Sequence, residues 1–323
     1  MEKFSIMATA AAVPDKVVTN DDLAEIMDTS DEWISSRTGI RQRHITTEQS
    51  TTDLATAVAE QLLQKAAIEP AKIDFIIVAT MSPDNLAPTV AAQVQSRIQA
   101  DHAFAFDINV ACTGFVSALS LASKLLSSHY QHGIVIGAET LSRLVDWEER
   151  STAVLFGDGA GGVLMSESDE QIGLLSESLH SYGEQGSALT AGQISAQTRW
   201  NPAGEQTDLP FKMDGRAVYQ FATRRVPQVI NEAIDAAGVS LDDVDYFVLH
   251  QANARIVKSI ANHLDQPITK FPMDVASYGN TSAASIPILL AELVEQGQLH
   301  AGQKIMLAGF GAGLSTGATL IQI

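Results

Sequence analysis

The sequence predicts an α/β protein built from two similar halves, and three observations carry that prediction. Short apolar, β-rich runs such as Phe75-Ile76-Ile77-Val78-Ala79 alternate with helical stretches, as strands buried on both faces of a parallel sheet do. The order of the first half then recurs in the second. Val244-Asp245-Tyr246-Phe247-Val248-Leu249 matches Ile73-Asp74-Phe75-Ile76-Ile77-Val78 after 171 residues (244 − 73), and Ile305 matches Ile134 after the same 171 (305 − 134). Met273-Asp274-Val275 and the helix after it parallel Asp107 and its helix after 167 (274 − 107). Last, the stretch after Cys112 is apolar on every helical face and carries no charge before Lys124, which marks a buried central helix. The expected halves are 1–170, with the cysteine, and 171–323.

The totals narrow the function classes. Of 323 residues, 46% are hydrophobic and 18% charged, a balance of ordered rather than disordered chains. A net charge of −18 argues against nucleic acid or an anionic membrane as partner, and no run is long enough to span a bilayer. Met1 to Pro14 is alanine-rich, but Glu2, Ser5 and Thr9 interrupt it, so it reads as a first strand and not as a signal peptide. A single cysteine excludes an internal disulfide framework and suits a reducing, cytoplasmic setting.

In chain order, Ser30 is placed to cap a short helix with Trp33 at its third position. Arg37, Arg41 and Arg43 follow. With Trp33 they suit a phosphorylated, aromatic ligand, and a surface loop with a packed tryptophan is the alternative. A helix over Thr52–Ala67 leads to the strand at Ile73–Thr80, a loop with Pro83 and Pro88, a helix near Val90–Ile98 and a strand at Phe104–Val110. Gly133–Gly137 is a further buried strand, and Val154–Leu164 reads as two strands joined by a glycine-rich turn.

Sites in α/β sheets lie at the carboxyl ends of strands. There stand Cys112 at the head of its helix, His250 after Val248-Leu249, and Asn280 in Tyr278–Ser285, which opens the corresponding helix of the second half. A helix N-terminus favours a thiolate and lowers a thiol pKa, although a lone cysteine is otherwise an inert core residue. Taken singly, His250 reads as structural and Asn280 as a turn residue. Brought to one place, the three form a nucleophile, a proton or hydrogen-bond manager and an orienting amide. Gly309–Gly313 precedes a strand rather than a helix, so it is not a dinucleotide loop. Its glycines instead let backbone N–H groups approach a reacting oxygen. The cysteine and histidines lack metal-ligand spacing, and no metal is expected.

Carrying these residues, the motifs TSDEWISSRTGIRQRHI, DINVACTGF, ERSTAVLFGDGAGG, HQANARI, YGNTSAASIP and GFGAGLSTG run in order along the whole chain. In them the chain resembles the β-ketoacyl-acyl-carrier-protein synthase III family of the thiolase superfamily. The resemblance implies a duplicated thiolase-like fold in five layers, α/β/α/β/α, and a homodimer. It implies the initiating condensation of type II fatty-acid synthesis, with acyl-CoA and malonyl-acyl-carrier protein as substrates and no cofactor beyond the CoA thioester. A ketoacyl-synthase-III-like acyltransferase of a secondary pathway is the alternative. Cys112 would carry the acyl group, His250 and Asn280 would stabilise the enolate, and the N–H groups of Cys112 and Ala312 would form the oxyanion hole. Trp33 and Arg150 would sandwich the CoA adenine, Arg37 and Thr38 would lie along the nucleotide, and Gly215, Ala252 and Asn253 would line the pantetheine channel. Arg255 and Lys258 would meet the acidic carrier protein, and Ala87 would help to close the acyl pocket across the dimer. The family's FGGG is FGAG here, so Ala312 keeps its donor in place only with a negative φ.

Overall fold

The computed structural model describes residues 2–127, 129–204 and 209–323. The first half comprises β1 (Glu2–Ala12), β2 (Val17–Thr19), α1 (Asn20–Ala24), α2 (Asp31–Thr38), β3 (Gln42–His44), α3 (Thr51–Ala66), β4 (Phe75–Ala79), α4 (Val90–Arg97), β5 (Phe104–Ile108), α5 (Gly114–Leu125), β6 (His132–Glu139), α6 (Arg150–Ala153) and β7 (Gly159–Glu167). The second comprises β8 (Gly173–Ser181), β9 (Leu189–Thr190), β10 (Lys212–Met213), α7 (Gly215–Ala237), β11 (Tyr246–Leu249), α8 (Ala254–His263), α9 (Val275–Tyr278), α10 (Ser285–Glu295), β12 (Lys304–Gly311) and β13 (Ser315–Gln322).

The two halves share one strand order. It runs β4-β6-β7-β1 in the first and β11-β12-β13-β8 in the second, parallel at the first pair and antiparallel thereafter. The sheets join where Glu2 and Lys3 of β1 pair with Leu174 and Gly173 of β8. Three apolar cores then give five layers. Helices α3 and α4 cover the outer face of the first sheet, α5 and α10 lie between the sheets, and α7 and α8 cover the outer face of the second. The central helices are apolar because both sides meet a sheet. The close fit of the α10 segment needs glycine in the strands below it. A Cβ on Gly137 of β6 would stand 2.2 Å from the Ala283 carbonyl oxygen, and one on Gly161 of β7 would stand 2.6 Å from the Ile288 nitrogen.

Two expected elements differ. Met273-Asp274-Val275 forms no counterpart to β5. Pro272 has no N–H for a ladder, and the Asp274 N–H turns to the Gln251 side-chain oxygen at 3.3 Å. The counterpart of the Cys112 turn lies further on. The 3₁₀ turn Ala111–Thr113 matches Ser282–Ala284, again 171 residues apart (282 − 111), and both turns open on a left-handed residue, Ala111 at φ 45° and Ser282 at φ 47°. Nor does Val154–Leu164 hold two strands. Val154 caps α6, Phe156 makes an isolated bridge to Asn280, and strand structure begins at Gly159.

Candidate active site

The heads of α5 and α10, turned toward each other at the carboxyl ends of the strands, open into one cavity of about 400 Å³. Cys112, His250, Asn280, Gly311 and Ala312 all line its wall, so residues of both halves meet there. Close backbone approach makes the meeting possible. A Cβ on Gly309 would touch His250 Cβ at 3.1 Å and lie 3.7 Å from the Cys112 carbonyl oxygen. One on Gly311 would lie 2.7 Å from the Cys112 nitrogen and 3.2 Å from its Cβ. Ala312, the departure from the glycine pattern, is not among the residues with positive φ, so its methyl group imposes no left-handed strain.

Asn280 is held by its backbone and its side chain together. Its N–H donates to the Leu155 carbonyl at 2.9 Å, its own carbonyl accepts from Gly157 N–H at 3.0 Å, and its Oδ1 accepts from Ser282 N–H at 2.9 Å. With Oδ1 so tied, the NH₂ group is the part of the amide free to act as a donor. His250, 2% exposed, follows β11 and donates its backbone N–H to Ala308 at 2.8 Å. Its ring meets Phe310 edge-on at 5.4 Å, and Nδ1 lies 2.7 Å from Ser285 Oγ. Burial pulls its pKa down to about 3, so the ring is neutral at working pH.

Cys112 corrects the expectation of a lowered thiol pKa. Burial pushes the thiol up to about 12, and the nearby Glu139 carboxyl adds to the rise; Ser282 and the cysteine's own N–H pull in the opposite direction and lose. Burial therefore favours the protonated thiol. Glu139 ends β6, fully buried near Cys112. It accepts from Ser82 Oγ at 2.5 Å, Met81 N–H and Ser82 N–H at 3.1 Å each, and Thr80 Oγ1 at 3.2 Å, yet burial still raises its pKa to about 7. Among the described residues Ser282 Oγ has no partner at hydrogen-bonding geometry, but it stands near enough to both acids to favour their charged forms.

The expected CoA residues divide. Trp33, Arg37, Thr38, Gly215, Ala252 and Asn253 line the same cavity, and Asn253 Nδ2 ties α8 to α2 through the Arg37 carbonyl at 3.1 Å. Arg150 sits outside that wall, with its guanidinium 4.6 Å from the Trp33 ring centroid, so the expected sandwich is closed on itself. Arg150 is held there by donating to the Asp28 carbonyl at 2.5 Å. The arginine cluster is not one ligand site. Arg37 stacks on Trp33 at 4.7 Å, but Arg41 pairs with Asp31 at 2.6 Å, and Arg43 is wholly buried. Arg43 donates to Val18, Asn20 and Val154 and serves packing. Arg255 and Lys258 are both exposed on α8, Arg255 at the cavity mouth and Lys258 beyond it. Ala87 lies in an exposed loop and does not line this chain's cavity. Among the described residues no cluster of three or more metal-ligating side chains occurs, and no helix is long and apolar enough to cross a membrane.

Comparison with known proteins decides the family. Residues 106–183 match the family described as 3-oxoacyl-[acyl-carrier-protein] synthase III, and residues 234–323 match its C-terminal family. A β-ketoacyl-[acyl-carrier-protein] synthase III of Streptococcus sanguinis is 52% identical over the full length of both chains. The chain belongs to the β-ketoacyl-acyl-carrier-protein synthase III family. A synthase III of Oenococcus oeni is 51% identical, again over both full lengths. The crystal structure of the Aquifex aeolicus synthase III superposes with a TM-score of 0.92 at 39% identity, covering 99% of this chain and 100% of that one. Within this synthase III scaffold the sequence reading missed Glu139, Ser282 and Ser285. A carboxylate closing an otherwise apolar strand was the available signal for Glu139. For the two serines there was none beyond their place in YGNTSAASIP.

Proposed function

We propose that the chain carries out the initiating condensation of type II fatty-acid synthesis, joining an acyl-CoA primer to malonyl-acyl-carrier protein. The observation that carries this reading is the arrival of Cys112, His250 and Asn280 at the inner end of one cavity whose outer wall holds Trp33, Arg37 and Asn253. In the first half-reaction the Cys112 sulfur adds to the thioester carbon, the C–S bond to CoA breaks, and the thiol proton ends on the departing CoA sulfur. The Cys112 and Ala312 N–H groups stabilise the oxyanion. In the second, malonyl-carrier protein loses CO2 and the charge moves onto its thioester oxygen, which faces His250 and Asn280 as neutral donors. The resulting carbanion attacks the acyl-cysteine and releases β-ketoacyl-carrier protein, leaving the sulfur to regain a proton. The CoA thioester is a substrate, and the chemistry asks for no cofactor.

Arg255 and Lys258, a basic edge on a chain of net charge −18, are the surface we assign to the acidic carrier protein. We place the enzyme in the cytoplasm, where a free catalytic thiol stays reduced. We further propose a homodimer across β5. That strand is an outer edge of the sheet, paired with β4 alone, and presents Phe104 at 38% exposure stacked 6.0 Å from Phe106. Sedimentation at twice the 34.5 kDa chain mass is the expected result, and a monomer at micromolar concentration would overturn it.

The function is tested by intact mass. Incubation with a mixture of acyl-CoAs should add one acyl group, Cys112→Ser should remove that adduct, and malonyl-carrier protein should discharge it as a β-ketoacyl product. No adduct from any acyl-CoA would sink the assignment. An adduct that malonyl-carrier protein cannot discharge would point to an acyltransferase with another acceptor.

A further inference from the structure

The condensation step described above needs His250 as a neutral donor, which requires the proton on Nε2, the ring nitrogen opposite Ser285. The surroundings of Ser285 bear on where that proton sits. Ser285 is the first residue of α10, and its hydroxyl is buried among three groups. Gln251 N–H donates to Oγ at 3.3 Å, His250 Nδ1 lies at 2.7 Å and the Ser282 carbonyl oxygen at 2.9 Å. A serine hydroxyl has one hydrogen to give. The Ser282 carbonyl has another donor already, since the Ser285 backbone N–H reaches it. Among the described residues Nδ1 has none besides Oγ, and the ring is too deeply buried to answer by becoming an imidazolium.

The geometry points to Ser285 as the positioning residue that presents His250 as an Nε2–H donor, by relaying the Gln251 N–H through its hydroxyl onto Nδ1. The alternative, with the hydroxyl turned to Ser282 and the proton on Nδ1, leaves Nε2 a bare lone pair facing the forming enolate. Repulsion would then replace stabilisation in the step that His250 serves. Ser282 belongs to the same frame, because its N–H fixes the Asn280 Oδ1. One turn, Ser282–Ser285, thereby aims both donors.

This inference rests on the condensing reading, and the experiments separate the two. Nitrogen-15 NMR of the wild-type enzyme, with His250 assigned by its loss in His250→Asn, should show Nε2 protonated and Nδ1 as acceptor. Ser285→Ala should weaken that Nδ1 signature and slow decarboxylation of malonyl-carrier protein by at least ~10-fold. Ser285→Thr, which keeps a hydroxyl, should recover most of the rate. Melting curves on each variant identify those that are folded. A wild-type spectrum with the proton on Nδ1 would overturn the proposal, as would a folded Ser285→Ala that decarboxylates at the wild-type rate. If instead wild-type enzyme takes no acyl group and decarboxylates nothing, the condensing reading itself has failed.

Discussion

Placing alanine at Gly311 is expected to slow acylation of Cys112 by about 100- to 1,000-fold, the loss typical of a spoiled oxyanion hole. The added methyl carbon would stand 2.7 Å from the Cys112 nitrogen, closer than real Cβ atoms approach backbone, and a tight 3.2 Å from the Thr113 nitrogen. The clash falls on a donor assigned to the thioester oxygen, and neither partner yields easily, since β12 lies within the sheet and the Cys112 turn is packed on it. The turn must therefore shift, tilting the N–H away from the oxygen. Overpacking of this kind also costs about 1–3 kcal/mol of stability. Single-turnover acylation followed by intact mass, with a melting curve alongside, reads both effects. A folded Gly311→Ala that acylates within tenfold of the wild-type rate would remove the Cys112 N–H from the oxyanion hole.

The second large effect concerns stability and pH. Glu139 has a folded-state pKa of about 7 against a reference of 4.5, because burial outweighs its hydrogen bonds. A raised carboxyl means that the folded state holds the proton more tightly. Its contribution is complete below the unfolded value and is lost as pH climbs through the folded one, about 3 kcal/mol between pH 4.5 and 7. Glu139→Gln has no proton to lose over that window. Urea unfolding of both proteins at pH 5 and pH 8 should show the wild type losing ground to the variant by roughly that amount. A constant difference across the window would show that Glu139 does not titrate where its burial places it.

Much of this architecture was legible in the chain. The apolar runs became β4, β6, β11 and β12 because strands covered on both faces leave no position for charge, and the offset between Ile73 and Val244 became the shared strand order. The convergence of Cys112, His250 and Asn280 on one cavity was legible because each follows a strand or opens a helix at the same end of the sheets. Two readings failed because environment is supplied from far along the chain, and a third failed for a local reason. Arg43 is charged and neighbours Arg41, so it looked like surface, yet acceptors on Val18, Asn20 and Val154 hold it inside. The Cys112 thiol was expected to be acidic from its helix, but burial, with a smaller push from Glu139, reverses the direction. Pro272 stopped a strand that the 167-residue match had suggested.

The paired turns at Ala111 and Ser282 have a consequence for how the enzyme divides its labour. Counted along the repeat, the residue matching Cys112 is Ala283 (283 − 112 = 171), and it is packed into the core between the sheets rather than open to the cavity. Two equivalent helix heads thus meet with only one of them bearing a reactive atom. The other, relieved of any chemistry, became scaffolding whose amide and hydroxyl groups aim the partners of its twin. On the proposed reading, duplication yielded not two active centres but one asymmetric centre, with nucleophile and electrostatics drawn from different copies and free to change independently.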